Sequence, residues 1–122
     1  LIWPRDHKWK KAMAIDIETK RPMLGGIFGG LSGPALKPIA LRCVYQIYEK
    51  VKLPIIGCGG IISCPDVIEF LLAGASAVQV GTSIVYDDVE IFKELTKNLI
   101  NYMSKHNLDS LDEIIGKAHG WE

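Results

Sequence analysis

Apolar and polar side chains alternate through residues 13–18, Met-Ala-Ile-Asp-Ile-Glu. That period of two predicts a strand with one solvated face. Residues 19–22, Thr-Lys-Arg-Pro, predict a turn, and Met23 and Leu24 a short returning strand. The glycine-rich stretch 25–33 predicts a loop, because ordering glycine costs the most backbone entropy. The period then changes. Leu36, Ile39, Ala40, Cys43, Val44 and Ile47 recur at three- and four-residue intervals, predicting an amphipathic helix to Lys50. Pro38 falls in its first turn, where a missing N–H costs little.

Residues 54–58, Pro-Ile-Ile-Gly-Cys, form a short continuous apolar run, predicting a strand buried on both faces and ended by Gly59-Gly60. Ser63 or Cys64 is the expected N-cap of the next helix, with Pro65 at its first position and Asp66 in its first turn. That helix carries Val67, Ile68, Phe70, Leu71 and Leu72 and stops at Gly74. Residues 77–81 predict another strand. A strand, short helix and strand between Ile55 and Val80 implies parallel pairing with a right-handed crossover. A turn over 82–86 leads to a long helix capped by Asp88 and carrying Ile91, Phe92, Leu95, Leu99, Ile100 and Met103. A last short helix over 111–117 takes Asp109 or Ser110 as its cap.

The totals narrow the function classes. Lys+Arg and Asp+Glu both number 14, and a net charge of zero argues against a nucleic-acid surface. A hydrophobic content of 48% is that of a globular chain. No apolar run nears the roughly 18 residues that span a membrane, and residues 1–11 show no signal-peptide pattern. The three cysteines, Cys43, Cys58 and Cys64, lack CxxC spacing and a histidine partner, so neither a disulfide framework nor a metal site is expected. The expected compartment is the cytoplasm. At 122 residues the chain is shorter than the roughly 200 that a complete (β/α)₈ barrel needs.

Candidate chemistry gathers on glycines after strands. Gly59, Gly60, Gly81 and Thr82 follow consecutive strand-like runs, and Gly33 ends a third glycine-rich stretch. Glycine lets a phosphate reach backbone N–H groups, and Thr82 adds a hydroxyl. One such turn alone favours the plainer reading, a tight connection after a strand. Two on adjacent parallel strands favour a phosphate cradle, as after strands 7 and 8 of a (β/α)₈ barrel. Lys37 either faces that anion or is solvated. Asp16 and Glu18 share a strand face, as paired carboxylates or as a solvated edge. Cys43 reads as core and Cys58 as pointing into the barrel or the site. His7, His106 and His119 read as surface residues.

Three blocks carry a resemblance: Met-Ala-Ile-Asp-Ile-Glu-Thr-Lys-Arg-Pro over 13–22, Gly-Gly-Leu-Ser-Gly-Pro-Ala-Leu-Lys-Pro-Ile-Ala-Leu-Arg over 29–42, and Pro-Ile-Ile-Gly-Cys-Gly-Gly-Ile over 54–61. Residues 73–82, Ala-Gly-Ala-Ser-Ala-Val-Gln-Val-Gly-Thr, continue it. Together they resemble the NAD-linked class of dihydroorotate dehydrogenase catalytic subunits, over about residues 12–122. The resemblance implies an α/β chain that is the C-terminal, incomplete part of a TIM (β/α)₈ barrel binding FMN. The implied activity is oxidation of dihydroorotate to orotate in pyrimidine biosynthesis. The implied partner is an electron-transfer subunit with FAD and an iron–sulfur cluster. On the family pattern Gly33 lies by the FMN, and Gly59, Gly60, Gly81 and Thr82 hold its phosphate. Residues 13–24 form a small excursion at the barrel mouth.

No catalytic residue carries over, because the family's catalytic cysteine lies in barrel not present here. Lys8 and Trp9 stand where the family has an Asn-Thr pair, and residues 1–11 resemble nothing in it. The expected division is an atypical segment over 1–11 and the barrel portion over 12–122. Two parallel strands cannot close a barrel, so the chain alone is expected to be inactive, and to be poorly folded, sticky or rescued by self-association. The alternatives are another FMN-barrel oxidoreductase and a non-catalytic, self-associating half-barrel that binds phosphate or flavin.

Overall fold

A computed structural model describes residues 11–121. The expectations for residues 1–10, His7 among them, lie outside the described residues. The chain divides into two compact units, the first ending at Leu31 and the second starting at Ser32.

The first unit is built of two-residue strands. β1 (Lys11–Ala12) pairs antiparallel with β4 (Gly29–Gly30), and β2 (Ile15–Asp16) pairs antiparallel with β3 (Arg21–Pro22). The alternation over 13–18 yields only this short β2, and the returning strand is Arg21–Pro22 rather than Met23 and Leu24. The physical reason is the Asp16 carboxylate. Its Oδ1 accepts the N–H groups of Glu18 (2.9 Å) and Thr19 (3.1 Å), which folds the chain over at once. Those two N–H groups hold its carboxyl below the usual carboxylate range, Thr19 contributing most. Asp16 is thus a turn residue, and paired-carboxylate chemistry with Glu18 is not what its geometry serves.

The second unit carries the regular structure. A 3₁₀ turn (Pro34–Leu36) runs into α1 (Lys37–Tyr48), with Pro38 in the first turn. Next come β5 (Ile56–Cys58), α2 (Cys64–Leu72) and β6 (Ala77–Gln79). β5 and β6 pair in parallel, Ile56 opposite Ala77, Gly57 opposite Val78 and Cys58 opposite Gln79. α3 (Ile84–Asp87) and α4 (Glu90–Lys105) follow, then a 3₁₀ turn (Leu111–Glu113).

The core sits between the helices and one face of the β5–β6 pair. Its buried members include Val44, Val67, Phe70, Leu71, Ile91, Leu95 and Ile114. Phe70 is wholly buried, and a Cβ on Gly57 would fall 2.6 Å from its ring. Glycine at 57 is therefore what lets α2 lie directly on β5. The opposite face is open: Ala77 and Gln79 are exposed, Cys58 is half-buried and Ile56 is 55% exposed. The apolar run at 54–58 is thus buried on one face only. Among the described residues, β5 and β6 pair solely with each other, and the helices pack on one side.

Several boundaries differ from the sequence pattern. Along α1 the buried line is Leu36, Ala40 and Val44, while Cys43 is half-buried and Ile47 exposed. Ser63 is the N-cap of α2 and Pro65 its second residue. The turn after β6 winds into α3. Asp88 takes a left-handed backbone (φ 53°) and so lies outside α4, whose N-cap is Val89. The last segment is a 3₁₀ turn capped by Ser110, with Glu113 Oε1 accepting the N–H groups of Asp109 and Ser110.

That segment docks by backbone bonds from Gly116 to Leu71 and from Ala118 to Leu72. It sets His119 flat on Tyr45, ring centroids 3.8 Å apart, with Nε2 2.9 Å from the Ala73 carbonyl. His119 is therefore a packed residue, whereas His106 is exposed at the end of α4.

Candidate functional site

Three backbone turns meet at the ends of β5 and β6. Gly33 (φ 87°), Gly59 (φ 131°) and Gly60 (φ 70°) all lie in the region that disfavours side chains. A Cβ on Gly60 would fall 2.7 Å from the Gly33 carbonyl and 2.7 Å from the Lys37 nitrogen, so the 59–60 turn sits directly on the entrance to α1. A Cβ on Gly33 would meet the Thr82 methyl at 3.8 Å. Gly33, Gly60 and Thr82 are brought together.

Gly59 has a different reason for its identity. A Cβ there would strike Ala40 at 2.9 Å and Leu36 at 3.2 Å, so it serves helix packing. Gly81 is exposed, and a Cβ on it would meet nothing within 4 Å. Its lack of a side chain is not required by the fold.

Among the described residues, the N–H groups of Gly60, Ile61, Gly81 and Thr82 make no backbone hydrogen bond. Clustered N–H groups of this kind suit an anion.

Two side-chain ties fix the geometry. Ser83, 1% exposed, donates its hydroxyl to the Ile61 carbonyl and joins the loop after β6 to the loop after β5. Asp66 is buried; its Oδ2 accepts the N–H groups of Ile62 (3.0 Å) and Ser63 (2.9 Å) and the Ser63 hydroxyl (2.9 Å). Lys37 Nζ lies 2.6 Å from Asp66 Oδ1 and 2.8 Å from Glu69 Oε2. Lys37, still partly exposed, is therefore turned to these two carboxylates and joins α1 to α2.

The ionisation of these groups follows. Hydrogen bonds to Asp66 and then Glu69 raise the Lys37 pKa. Burial pushes Asp66 up, but Lys37, the Ile62 N–H and the Ser63 hydroxyl outweigh it, and the carboxyl ends below its ordinary value. Burial raises the Cys64 thiol, which suits a packing role. Cys58 is half-buried at the end of β5. Among the described residues, no three His, Cys, Asp or Glu side chains cluster to hold a metal, and no helix is long and apolar enough to cross a membrane.

Ser83 and the Lys37–Asp66 tie were not read from the sequence as parts of the site. Asp66 carried a signal, an acid three residues after Ser63 at a helix start. Its bond to a lysine 29 positions earlier carried none.

The family model for dihydroorotate dehydrogenase matches residues 8–103. The chain belongs to the dihydroorotate dehydrogenase family. Similar curated proteins include the "Dihydroorotate dehydrogenase B (NAD(+)), catalytic subunit" of Methanothermobacter thermautotrophicus, 51% identical over 107 residues, covering 88% of this chain and 35% of that protein. The subunit of the same name from Pyrococcus furiosus is 51% identical over 108 residues, covering 88% and 36%. The chain thus spans about a third of the length of these relatives. Among solved structures, ligand-free dihydroorotate dehydrogenase from Eimeria tenella superposes with a TM-score of 0.72 at 30% identity, covering 89% of this chain and 31% of that one. The same enzyme in complex with ferulenol gives 0.70 at 33% identity, covering 75% and 25%.

Proposed function

We propose that this chain is the cofactor-phosphate portion of an FMN-dependent dihydroorotate dehydrogenase, the C-terminal part of a TIM (β/α)₈ barrel. The observation that carries this is the meeting of Gly33, Gly60 and Thr82 around uncommitted N–H groups after two parallel strands. Such loops after adjacent parallel strands are where barrels of this type hold phosphate. The residues fit the group. Gly60 leaves no room for a side chain, Gly81 leaves its backbone open to approach, and Thr82 adds a hydroxyl. Gly60, Gly81 and Thr82 would hold the phosphate, Gly33 would line the flavin, and Gly59 would shape the turn.

The chemistry such a flavin supplies is two-electron oxidation, here of dihydroorotate to orotate in pyrimidine synthesis. Around the cradle, among the described residues, Lys37 and Asp66 are bonded to each other. Neither is free to take a substrate proton, so turnover needs residues beyond these. The substrate-side chemistry, a partner subunit carrying FAD and an iron–sulfur cluster, and a cytoplasmic setting are part of the same proposal, from the likeness to NAD-linked catalytic subunits. So is the division into an atypical segment over 1–11 and a barrel portion over 12–122.

The test is flavin binding by the 122-residue chain. The proposal expects FMN fluorescence to change saturably on addition of protein and expects Gly60→Val to abolish that change. A folded chain that leaves FMN fluorescence unchanged overturns it. The open face of β5 and β6 favours a second reading, a self-associating half-barrel that binds flavin without turnover; flavin bound by an oligomer with no bleaching by dihydroorotate would select it.

A further inference from the structure

Asp66 places a buried carboxylate beside the phosphate cradle. Its Oδ2 holds the N–H groups of Ile62 and Ser63, the residues just after the 59–60 turn and Ile61. A bare negative charge there would repel a phosphate bound to the same loop. Lys37 answers it. Its backbone nitrogen and Cβ lie against Gly60, where a Cβ would fall 2.7 and 2.8 Å from them. Its side chain turns away, to Asp66 at 2.6 Å and Glu69 at 2.8 Å. The one cation in this tie is therefore spent on carboxylates, and the phosphate is left to backbone donors.

Resting on the FMN-phosphate reading, we propose that Lys37 is a positioning residue that sets phosphate affinity by neutralising Asp66 and never by touching the phosphate. The same bond holds the start of α1 to the start of α2, and so holds the Gly33 and Gly60 turns in register. The consequence is a coupled pair. Removing Lys37 alone exposes the phosphate to an uncompensated carboxylate. Removing both charges restores the net charge of the wild-type cluster, since Glu69 is the same in either, and Asn at 66 keeps an oxygen to accept the loop N–H groups.

The experiment titrates the 122-residue chain with FMN and with riboflavin, which lacks the phosphate. Lys37→Met is expected to weaken FMN binding at least about tenfold, the order expected of one unit charge acting across a few ångström near a protein surface. Riboflavin binding should stay unchanged, and Lys37→Met with Asp66→Asn should recover most of the preference for FMN. Equal losses for both ligands make Lys37 purely structural and overturn the proposal. A double variant as weak for FMN as Lys37→Met means that Lys37 binds phosphate directly, and overturns it too. Should Lys37→Met fail to fold by circular dichroism, the double variant decides: retained FMN preference supports the proposal and lost preference contradicts it. A wild-type chain with no preference for FMN over riboflavin instead removes the phosphate reading on which the proposal stands.

Discussion

At the scale of single residues, glycines that look alike in the sequence do three different jobs. Gly57 makes room for the Phe70 ring, Gly59 for Ala40 and Leu36, and Gly60 for the Gly33 carbonyl and the Lys37 nitrogen. Gly81 makes room for nothing in the protein. Gly57→Ala is expected to lower stability by about 1–3 kcal/mol, because the added methyl overpacks a filled core, and a urea melt checks it. Gly81→Ala should melt with the wild type, yet bind FMN more weakly if the phosphate approaches that backbone. Unchanged FMN affinity would remove Gly81 from the site. Gly59, Gly60 and Gly81 were legible as a turn or strand end, and Gly57 as part of a strand. Which neighbour each one accommodates was not, because the neighbour comes from another element.

At the scale of elements, α2 was the most legible. Ser63, Pro65, Asp66 and Gly74 mark its ends by local chemistry, and the helix forms between them. β5 was half legible. Its apolar run predicted a strand, but not which face would lie open, since that depends on what packs over Ile56. The start of α4 was misplaced by one residue, because Asp88 adopts a left-handed backbone and uses its carboxylate on the Val89 N–H (2.7 Å). The Lys37–Asp66 tie between α1 and α2 was invisible to a local pattern.

Its pH dependence follows from the directions of the two shifts. Asp66 is lowered from 3.8, so its contribution is complete above 3.8 and is lost as pH falls through the depressed folded value. Lys37 is raised from 10.5, so its contribution is complete below 10.5 and is lost as pH rises through the elevated folded value. Thermal melts should therefore show the tie intact between about pH 4 and pH 10. Relative to the Lys37→Met, Asp66→Asn double variant, the wild type should lose stability at both extremes. Parallel curves across the whole range would show that the tie adds nothing.

At the scale of the whole molecule, the second unit has a core on one side of β5 and β6 and an uncovered strand face on the other. Strands with unpaired edges and exposed apolar side chains associate readily. Light scattering coupled to size exclusion is expected to show mass rising with concentration, and Ile56→Lys, on the open face, to shift the chain toward monomer. A concentration-independent monomer would contradict this. The α/β class with a parallel strand pair was legible at this scale from one strand–helix–strand unit, since its crossover dictates parallel pairing. Division of the chain at Leu31 was not, because it falls inside a continuous glycine-rich stretch with no change of composition.

The central claim is that the turns at Gly60, Gly81 and Thr82 hold the phosphate of FMN, with Gly33 beside the flavin. The most direct measurement is a fluorescence titration of FMN with the 122-residue chain, repeated with Gly60→Val and with inorganic phosphate as competitor. The account predicts saturable binding that Gly60→Val abolishes and phosphate displaces. A chain that is folded by circular dichroism yet leaves FMN untouched, or binds it equally well with valine at position 60, would contradict it.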